Sequence, residues 1–290
     1  MRGSVSRVID VMQMGLDRVI GAWEVDGVIV DPGPGSTIDN LLEGLGGEAP
    51  RALLLTHIHL DHAGASGALV QRFPGLEVYV HEVGAPHMVE PERLMTSARQ
   101  LYGDDMDSLF GEMLPVPKEN LHVLSGGEEV LGFRVAYTPG HASHHVSYLH
   151  EDSGEAFVGD VCGVRVPPSD LTAPPTPPPD IDVEAWSASL DLIADWAPEA
   201  LCLTHFGRVD AVERHLVCMR EGLVSRSELA RAHGREAFMA RVEEEVEATG
   251  DPEVAERFRQ ASPTDQMWLG LERYWRKRVE REEQTAPAGA

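Results

Sequence analysis

Residues 56–62 read Thr56-His57-Ile58-His59-Leu60-Asp61-His62, and this short stretch decides the interpretation of the chain. It follows the apolar run 52–55, which is typical of a buried strand. Three imidazoles and one carboxylate lie within six residues, and burying them together costs free energy unless they bind a common cation. Neutral imidazole and carboxylate are the usual ligands of zinc and related divalent ions. The stretch therefore predicts a metal site at the end of a strand.

Three segments further along the chain repeat this arrangement. Each is an apolar run that predicts a strand and ends in a ligand-type residue beside a turn: Pro139-Gly140-His141 after 135–138, Gly159-Asp160 after 156–158, and His205-Phe206-Gly207 after 201–204. Strand ends that meet at one edge of a sheet sandwich would bring these residues to the site of the first stretch. We therefore expect a single metal centre built from all four segments.

The order of these motifs, together with the turn at Asp31-Pro32-Gly33, resembles the metallo-β-lactamase-fold hydrolase superfamily. The helical region that follows looks like the layout of glyoxalase II (hydroxyacylglutathione hydrolase). The resemblance implies an α+β fold, an αββα sandwich with a C-terminal helical extension. It also implies a first metal on His57, His59 and His141. A second metal would be held by Asp61, His62 and His205, and Asp160 would bridge the two together with a water-derived hydroxide.

The chemistry implied by the resemblance is hydrolysis of a thioester, ester or lactone bond. Two divalent ions, with zinc expected and iron or manganese also compatible with the ligand types, would make hydroxide available near neutral pH. We assign catalytic roles to Asp61, which would orient the hydroxide, and to His145. His145 would donate a hydrogen bond to the negative charge that develops on the substrate, or it would hydrogen-bond to a metal ligand without touching the metal itself.

Other members of the superfamily provide alternatives. A persulfide dioxygenase would keep the same ligand residues but hold one iron at the positions of His57, His141 and Asp160. A metallo-nuclease is disfavoured because the chain has a formal net charge of -24 and no basic stripe. Oxygen or nitric-oxide reduction is disfavoured because His59 stands where flavo-diiron members carry Glu, and no flavodoxin module follows.

The amino-acid composition indicates the cellular compartment and the partners of the protein. Its 3 cysteines are widely spaced, which suits a reducing compartment. No export-signal pattern and no run of about eighteen apolar residues is present, so we expect a cytoplasmic protein without a membrane span. We expect a small-molecule substrate and no nucleic acid, and a homodimer through the helical region is compatible with the sequence.

The pattern of elements predicts two units and a tail. Residues 1–207 would form the catalytic domain, 208–283 a helical domain, and 284–290 a disordered tail. Four C-terminal helices are predicted at about 209–223, 226–248, 252–260 and 263–282, with Ser225 and Glu228 as a capping box for the second. One strand is predicted over 129–137, and no strand after Gly207. The substrate pocket is expected from residues 81–120, which include His87 and Tyr102, from the proline-rich segment 167–180 and from the C-terminal helices.

Overall fold

The computed structural model describes residues 6–285, and two six-stranded sheets form its centre. The strands of the first sheet, in spatial order, are β1 (Arg7–Asp10), β2 (Gly21–Val25), β3 (Val28–Val30), β4 (Ala52–Leu54), β5 (Glu77–His81) and β6 (Leu121–Leu124). The strands of the second sheet are β7 (Glu129–Val130), β8 (Phe133–Tyr137), β9 (Val146–His150), β10 (Glu155–Gly159), β11 (Ala200–Leu203) and β12 (Gly207–Val209). They lie in the spatial order β12-β11-β10-β9-β8-β7.

Both sheets are mixed. In the first, β1, β2 and β3 pair antiparallel, and β3, β4, β5 and β6 then pair parallel. In the second, all neighbours pair antiparallel except β10 and β11, which are parallel. As a result β3, β4, β8, β10 and β11 all end near the same edge, where the predicted ligand residues follow.

The two sheets pack face to face through a core of their inward side chains. Trp23 meets Phe157 edge to face with ring centroids 5.8 Å apart, and Phe133 meets Phe157 at the same separation of 5.8 Å. Edge-to-face pairs of this kind add about 0.5–1.5 kcal/mol each beyond the burial of their area. The aliphatic residues around them, such as Val28 and Leu54, are fully buried. Strands of the central layers are therefore apolar on both faces, which explains the continuous apolar runs in the sequence.

Helices cover the outer face of each sheet. On the first sheet they are α1 (Ile38–Gly44), α2 (Leu60–Ala63), α3 (Ser66–Arg72), α4 (Ala85–Val89), α5 (Glu92–Tyr102) and α6 (Met106–Phe110). On the second sheet they are α7 (Val183–Asp195), α8 (Val212–Ala232), α9 (Arg235–Glu247) and α11 (Thr264–Thr285), and α10 (Pro252–Ala261) packs against the segment 164–173 and α9. The order helix, sheet, sheet, helix is the predicted αββα sandwich, so the α+β fold class with a C-terminal helical extension is confirmed.

The helical extension shares a core with the second sheet. Met267 and Leu271 of α11 pack in one cluster with Trp186 of α7 and with Leu201 of β11. The predicted boundary at residue 207 falls at the start of β12, which pairs with β11 and continues the sheet to Val209. The C-terminal helices therefore share a continuous core with the second sheet, and the residues just after 207 extend that sheet as β12.

Several predicted element boundaries were wrong for local reasons. The strand predicted over 129–137 is a hairpin, because Leu131 and Gly132 adopt positive φ angles of 55° and 91° and turn the chain between β7 and β8. The first C-terminal helix continues to Ala232, so Ser225 and Glu228 lie inside α8 and form no cap. The break falls instead at His233-Gly234, where the backbone is extended.

The predicted tail lies largely beyond the described part of the chain. Helix α11 extends to Thr285, so residues 284 and 285 belong to it, and residues 286–290 lie outside the described residues.

Between residues 6 and 285, none of the helices combines the length and the apolar character that a membrane crossing requires.

Candidate metal centre

The predicted ligands all lie at one edge of the sandwich. His57 and His59 follow β4, and Asp61 and His62 lie on the short helix α2. The remaining three residues each follow a strand of the second sheet: His141 after β8, Asp160 after β10 and His205 after β11. The two sheets thus contribute to one site, and each of the residues His57, His62, His141, Asp160 and His205 is at most 3% exposed.

Two glycines allow the chain to deliver these side chains. Gly140 has a φ of 136°, and a Cβ at this position would overlap the backbone of Trp186 in α7. Gly159 has a φ of 46°, and a Cβ there would overlap Thr56 and the ring of His145. Each glycine directly precedes a ligand-type residue, so only glycine fits the close approach that places His141 and Asp160 in the centre.

The first cluster consists of His57, His59, His141 and Asp160, whose facing ligand atoms all lie within 4.8 Å of one another. His59 Nδ1 lies 3.0 Å from His57 Nε2 and 3.0 Å from His141 Nε2. Asp160 Oδ2 lies 3.2 Å from His141 Nε2. These atoms surround a common point, as the donors of one metal ion would.

The second cluster consists of Asp61, His62 and His205, again within 4.8 Å of one another. Asp61 Oδ2 lies 3.3 Å from His205 Nε2 and 3.7 Å from His62 Nε2. The other oxygen of Asp160, Oδ1, lies 3.2 Å from His62 Nε2 and 3.4 Å from His205 Nε2. Asp160 therefore presents one oxygen to each cluster, which is the arrangement that a bridging carboxylate requires.

Hydrogen bonds behind the site fix the ring orientation of four histidines. His62 Nδ1 donates to Asp31 Oδ2 at 2.8 Å, His141 Nδ1 to the carbonyl of Pro175 at 2.9 Å, and His205 Nδ1 to the carbonyl of Val19 at 2.7 Å. His57 Nδ1 lies 3.1 Å from Thr56 Oγ1, whose proton is already donated to Asp31. Because the acceptors hold a proton on Nδ1, the Nε2 atom of each ring is the one that faces the centre.

Asp31 is the hub of this outer layer. Its carboxylate is fully buried and accepts hydrogen bonds from the Thr56 amide at 2.8 Å, the Thr56 hydroxyl at 2.7 Å, the Thr204 hydroxyl at 3.1 Å and His62. It follows β3, so it ties together the segments that carry His57, His62 and His205. A fully satisfied network of this kind holds the ligands in place before a cation binds.

The protein atoms alone leave the centre unsatisfied. His62 Nε2, His205 Nε2 and Asp160 Oδ1 are buried, and the oxygen lies 3.2 Å and 3.4 Å from the two nitrogens, but none of the three atoms makes a hydrogen bond of acceptable geometry with the described residues. Leaving a buried polar atom unpaired costs roughly 1–3 kcal/mol, and three lie here side by side. Nitrogen and oxygen donors that face one another in this way fit divalent cations, which would satisfy all of them at once.

The pKa values of the site differ between the two clusters. Burial, reinforced by neighbouring histidines, lowers the pKa of His57 well below its usual value and that of His59 to about 4. In the second cluster burial opposes protonation, but Asp160, Asp61 and Asp31 outweigh it and raise the pKa of His62 well above its usual value. Although burial opposes ionisation, the histidines around Asp61 lower its pKa to about 2. The carboxylates are thus ionised, and a cation would displace protons from the second cluster.

The two residues predicted to be catalytic occupy different positions. Asp61 lines the cavity described below and is a quarter exposed, with its carboxylate beside His205. His145 is fully buried behind the ligands, where its ring stacks on His57 at 5.1 Å and its Nδ1 lies 2.9 Å from Thr138 Oγ1. It does not line the cavity, so its geometry fits support of His57 and not contact with a substrate.

A cavity of about 940 Å³ opens onto the centre. His59, Asp61, Asp160 and His205 form its floor. Three walls come from the regions from which the pocket was expected, namely α5, the proline-rich segment and the junction of α10 and α11: Arg93, Leu94, Ala98, Leu101, Tyr102, Pro175, Pro177, Asp180, Gln260, Asp265 and Met267. The loop between β1 and β2, which was not expected, contributes Gln13, Met14, Val19 and Ile20. Among the described residues that line the cavity, Arg93 is the only arginine or lysine.

Sequence reasoning missed four contributors to this site. Asp31 was noted only as part of a turn, although a carboxylate at the end of a strand is the same signal that identified Asp160. His144, which was not among the predicted site residues, lines the cavity and accepts from the Ile58 amide at 3.4 Å. No sequence pattern could identify the carbonyls of Val19 and Pro175, because every residue has a backbone carbonyl.

An αββα sandwich with two facing clusters of histidine and aspartate at its edge defines a class of metalloproteins. The comparison with known families agrees: residues 25–205 match the metallo-beta-lactamase superfamily. The chain therefore belongs to this superfamily, which confirms the predicted family and fold.

Two relatives share part of the chain. The metallo-beta-lactamase fold-containing protein ST1585 of Sulfurisphaera tokodaii is 31% identical over 173 residues, which cover 57% of this chain and 64% of that protein. A hydroxyacylglutathione hydrolase of Xanthomonas campestris pv. campestris is 32% identical over 133 residues, which cover 46% of this chain and 40% of that protein. The matched segments thus span less than two thirds of the length of either relative.

Solved structures extend the likeness. The crystal structure of ST1585 superimposes with a TM-score of 0.63 and 26% identity, covering 78% of this chain and 86% of that one. The metallo-beta-lactamase family protein TTHA1429 from Thermus thermophilus gives a TM-score of 0.66 at 21% identity and covers 94% of each chain. At that identity the likeness concerns the fold, and its extent includes much of the C-terminal helical region.

Proposed function

We propose that this chain is a binuclear metal-dependent hydrolase that cleaves a thioester, ester or lactone bond of a small molecule. One observation carries the proposal: two ligand clusters face each other across Asp160, and buried donor atoms in them lack any other partner among the described residues. When bound, two divalent ions would supply hydroxide near neutral pH and polarise the scissile carbonyl. Family membership and the similarity to a hydroxyacylglutathione hydrolase support this class of reaction.

The protein's own residues would prepare the substrate. The Asp61 carboxylate lies at the cavity floor beside His205, where it can orient an attacking water by accepting its proton in a hydrogen bond. Tyr102 lines the cavity, and burial together with nearby Asp61, Asp160 and Asp265 raises the pKa of its hydroxyl. The hydroxyl therefore remains a neutral donor at physiological pH, suited to a substrate carbonyl.

The charge of the cavity favours a largely neutral substrate. Beyond the metal clusters, Asp105, Asp180 and Asp265 line the walls, and Arg93 alone opposes them among the arginines and lysines that line the cavity in the described chain. Leucine, proline and alanine side chains cover much of the remaining wall. A thioester or lactone with an apolar acyl group suits this surface better than a substrate that carries several carboxylates, as glutathione thioesters do. The same acidity argues against a nucleic-acid substrate.

The experiment is a metal count followed by a substrate panel. Elemental mass spectrometry of the purified protein should find about two zinc or manganese per chain, and acyl thioester and lactone hydrolysis should disappear with chelator and return with metal. His59→Ala should lose both metal and turnover. His122→Ala should lose neither, because His122 lies on the surface beside Glu77 at 3.3 Å, away from both clusters.

Two outcomes would contradict the proposal. One iron per chain with oxygen uptake on persulfides would assign the chain to the dioxygenase alternative, with His57, His141 and Asp160 as the ligands. No bound metal, with none taken up on reconstitution, would remove the basis for either enzyme.

A further inference from the structure

Two ligand histidines take their orientation from backbone carbonyls that lie on loops outside both sheets. His205 of the second cluster donates to Val19, and His141 of the first cluster donates to Pro175. A strand carbonyl is held by its ladder, but a loop carbonyl stays in place only if something else holds the loop. The position of each carbonyl then determines the direction of the imidazole lone pair, so the contacts that hold the two loops bear on the metal centre.

Helix α10 is one of the elements that hold the loop carrying Val19, beside Asp10 of β1, whose Oδ2 accepts from the Arg18 amide at 2.6 Å. Arg257 Nε donates to the Asp17 carbonyl at 2.9 Å and to Asp17 Oδ1 at 2.8 Å, and Arg257 Nη2 also donates to this carboxylate. Arg257 is only 7% exposed, and its planar fork contacts both the backbone and the side chain of Asp17. Because Asp17 is two residues before Val19, these bonds restrain the carbonyl that orients His205.

Helix α11 holds the loop that carries Pro175. Thr176 is 1% exposed and donates its hydroxyl proton to the carbonyl of Met267 at 3.0 Å. One turn further along α11, Gly270 lies so close to the loop that a Cβ would overlap the carbonyl oxygen of Thr176. The helix thus packs directly on the Thr176–Pro177 peptide unit, one residue after Pro175, and this contact restrains the loop whose carbonyl orients His141.

We propose that the C-terminal helices position one ligand of each metal cluster, α10 acting on His205 through Arg257 and Asp17, and α11 acting on His141 through Gly270 and Thr176. The proposal rests on the binuclear centre proposed above. It gives the helical extension a role in the chemistry, because metal ligands must be held within about 0.2 Å of their coordination distances. It also makes the two clusters separately adjustable, since each helix reaches a different loop and a different histidine.

The first arm of the test compares two arginines of α10. Arg257→Met keeps the apolar stem but removes every hydrogen bond to Asp17. The matched control is Arg259→Met, which removes an ion pair with Glu243 of α9 and touches neither loop. Zinc competition against a chelating dye should show about 3- to 10-fold weaker binding at one site in Arg257→Met, less than the roughly 10–100-fold typical for direct loss of an outer partner. Arg257→Lys should restore only part of this affinity.

The second arm compares two glycines of the helical extension that face the proline-rich segment. Gly270→Ala must displace the Thr176 carbonyl, whereas Gly222→Ala in α8 places its Cβ an ordinary 3.4 Å from the carbonyl oxygen of Thr172. Both substitutions raise helix propensity by a similar amount, about 1 kcal/mol or less, so propensity cancels in the comparison. Thr176→Val removes the hydrogen bond to Met267 without adding volume, and it serves if Gly270→Ala does not fold.

Nuclear magnetic resonance of the histidine side chains identifies which cluster each variant affects. The Nδ1–H protons of His205 and His141 are hydrogen-bonded, and each signal is assigned by its loss in the His205→Asn or His141→Asn variant. We expect Arg257→Met to accelerate solvent exchange of the His205 proton alone, and Gly270→Ala to accelerate that of the His141 proton alone. Circular dichroism confirms that each variant is folded.

The outcomes separate this inference from the proposed function. If the wild-type chain binds two metals but Arg257→Met and Gly270→Ala behave like their controls, the positioning role is wrong and the hydrolase proposal stands. Equal weakening of both clusters by either variant would also overturn it, because that result indicates general loosening. A wild-type chain that binds no metal would remove both proposals together.

Discussion

Replacement of Asp31 by asparagine tests how the outer hydrogen-bond layer controls the metal centre. The two side chains have the same shape, so the substitution leaves the packing unchanged and alters only charge and hydrogen bonding. Asp31 Oδ1 accepts from the Thr56 amide, and Oδ2 accepts from the Nδ1–H of His62 as well as from two hydroxyls. Hydroxyls can rotate and accept instead, but the Thr56 amide can only donate.

The carboxamide of the introduced asparagine can accept from the Thr56 amide or from the Nδ1–H of His62, but not from both. The expected loss of free energy follows from this geometry. The NH₂ group must face either the Thr56 amide, which leaves two donors opposed in a buried site, or His62, which forces the proton of that ring onto Nε2. A hydrogen bond to a charged group contributes about 1.5–3 kcal/mol. At about 1.4 kcal/mol per tenfold change, Asp31→Asn should weaken binding at the second cluster by roughly 10- to 150-fold or destabilise the metal-free fold by a similar free energy.

The assay is urea unfolding of the metal-free protein together with a zinc titration of the folded protein. Asp191→Asn is the control, because Asp191 is exposed and loses only a surface ion pair with Arg220. Such a pair is worth about 0–1 kcal/mol. If Asp31→Asn kept zinc affinity within about twofold and stability within about 0.5 kcal/mol of the wild type, the role of Asp31 as an obligatory acceptor would be refuted.

Three further substitutions test the centre itself. His59→Ala should abolish first-cluster binding and turnover while the metal-free protein keeps its stability within about 1 kcal/mol, because His59 is only partly buried; normal activity with unchanged metal content would contradict the assignment. Asp160→Ala should lower occupancy of both clusters, since one oxygen faces each, and full occupancy by elemental analysis would exclude a bridging role. Tyr102→Phe should reduce kcat/KM for the preferred ester or thioester by up to about tenfold, the value of one neutral hydrogen bond, with metal content unchanged; an unaltered kcat/KM would show that the hydroxyl does not contact the substrate.

The local pattern of apolar and turn-forming residues was sufficient to predict most helices and strands of the sandwich. Helix α10, predicted at about 252–260, spans Pro252–Ala261, and the apolar run 201–204 coincides with β11 at Ala200–Leu203. The predicted turn at Asp31-Pro32-Gly33 follows β3, with Asp31 and Gly33 at positive φ. Errors arose where one residue decided the backbone, as at Leu131, or where a continuous helix passed through a sequence that resembles a cap, as at Ser225. In the second case tertiary packing of α8 overrode a weak local preference.

The structure tests the predicted fold but not the predicted compartment or partners. The cytoplasmic location and the absence of nucleic-acid binding remain predictions, which follow largely from cysteine usage and from charge and concern the whole surface and its surroundings, not any particular contact. The homodimer remains compatible with the sequence.

The sequence by itself determined the candidate ligand set, because His, Asp and the glycines beside them are chemically distinctive and stand at the ends of recognisable strands. It also determined the family, since the order of these motifs is specific to the fold. Only the tertiary structure decided that Asp160 divides its two oxygens between the clusters, that His144 and not His145 lines the cavity, and that loop carbonyls orient His141 and His205. These properties depend on distances between segments far apart in the chain, and on backbone groups that are identical in every residue.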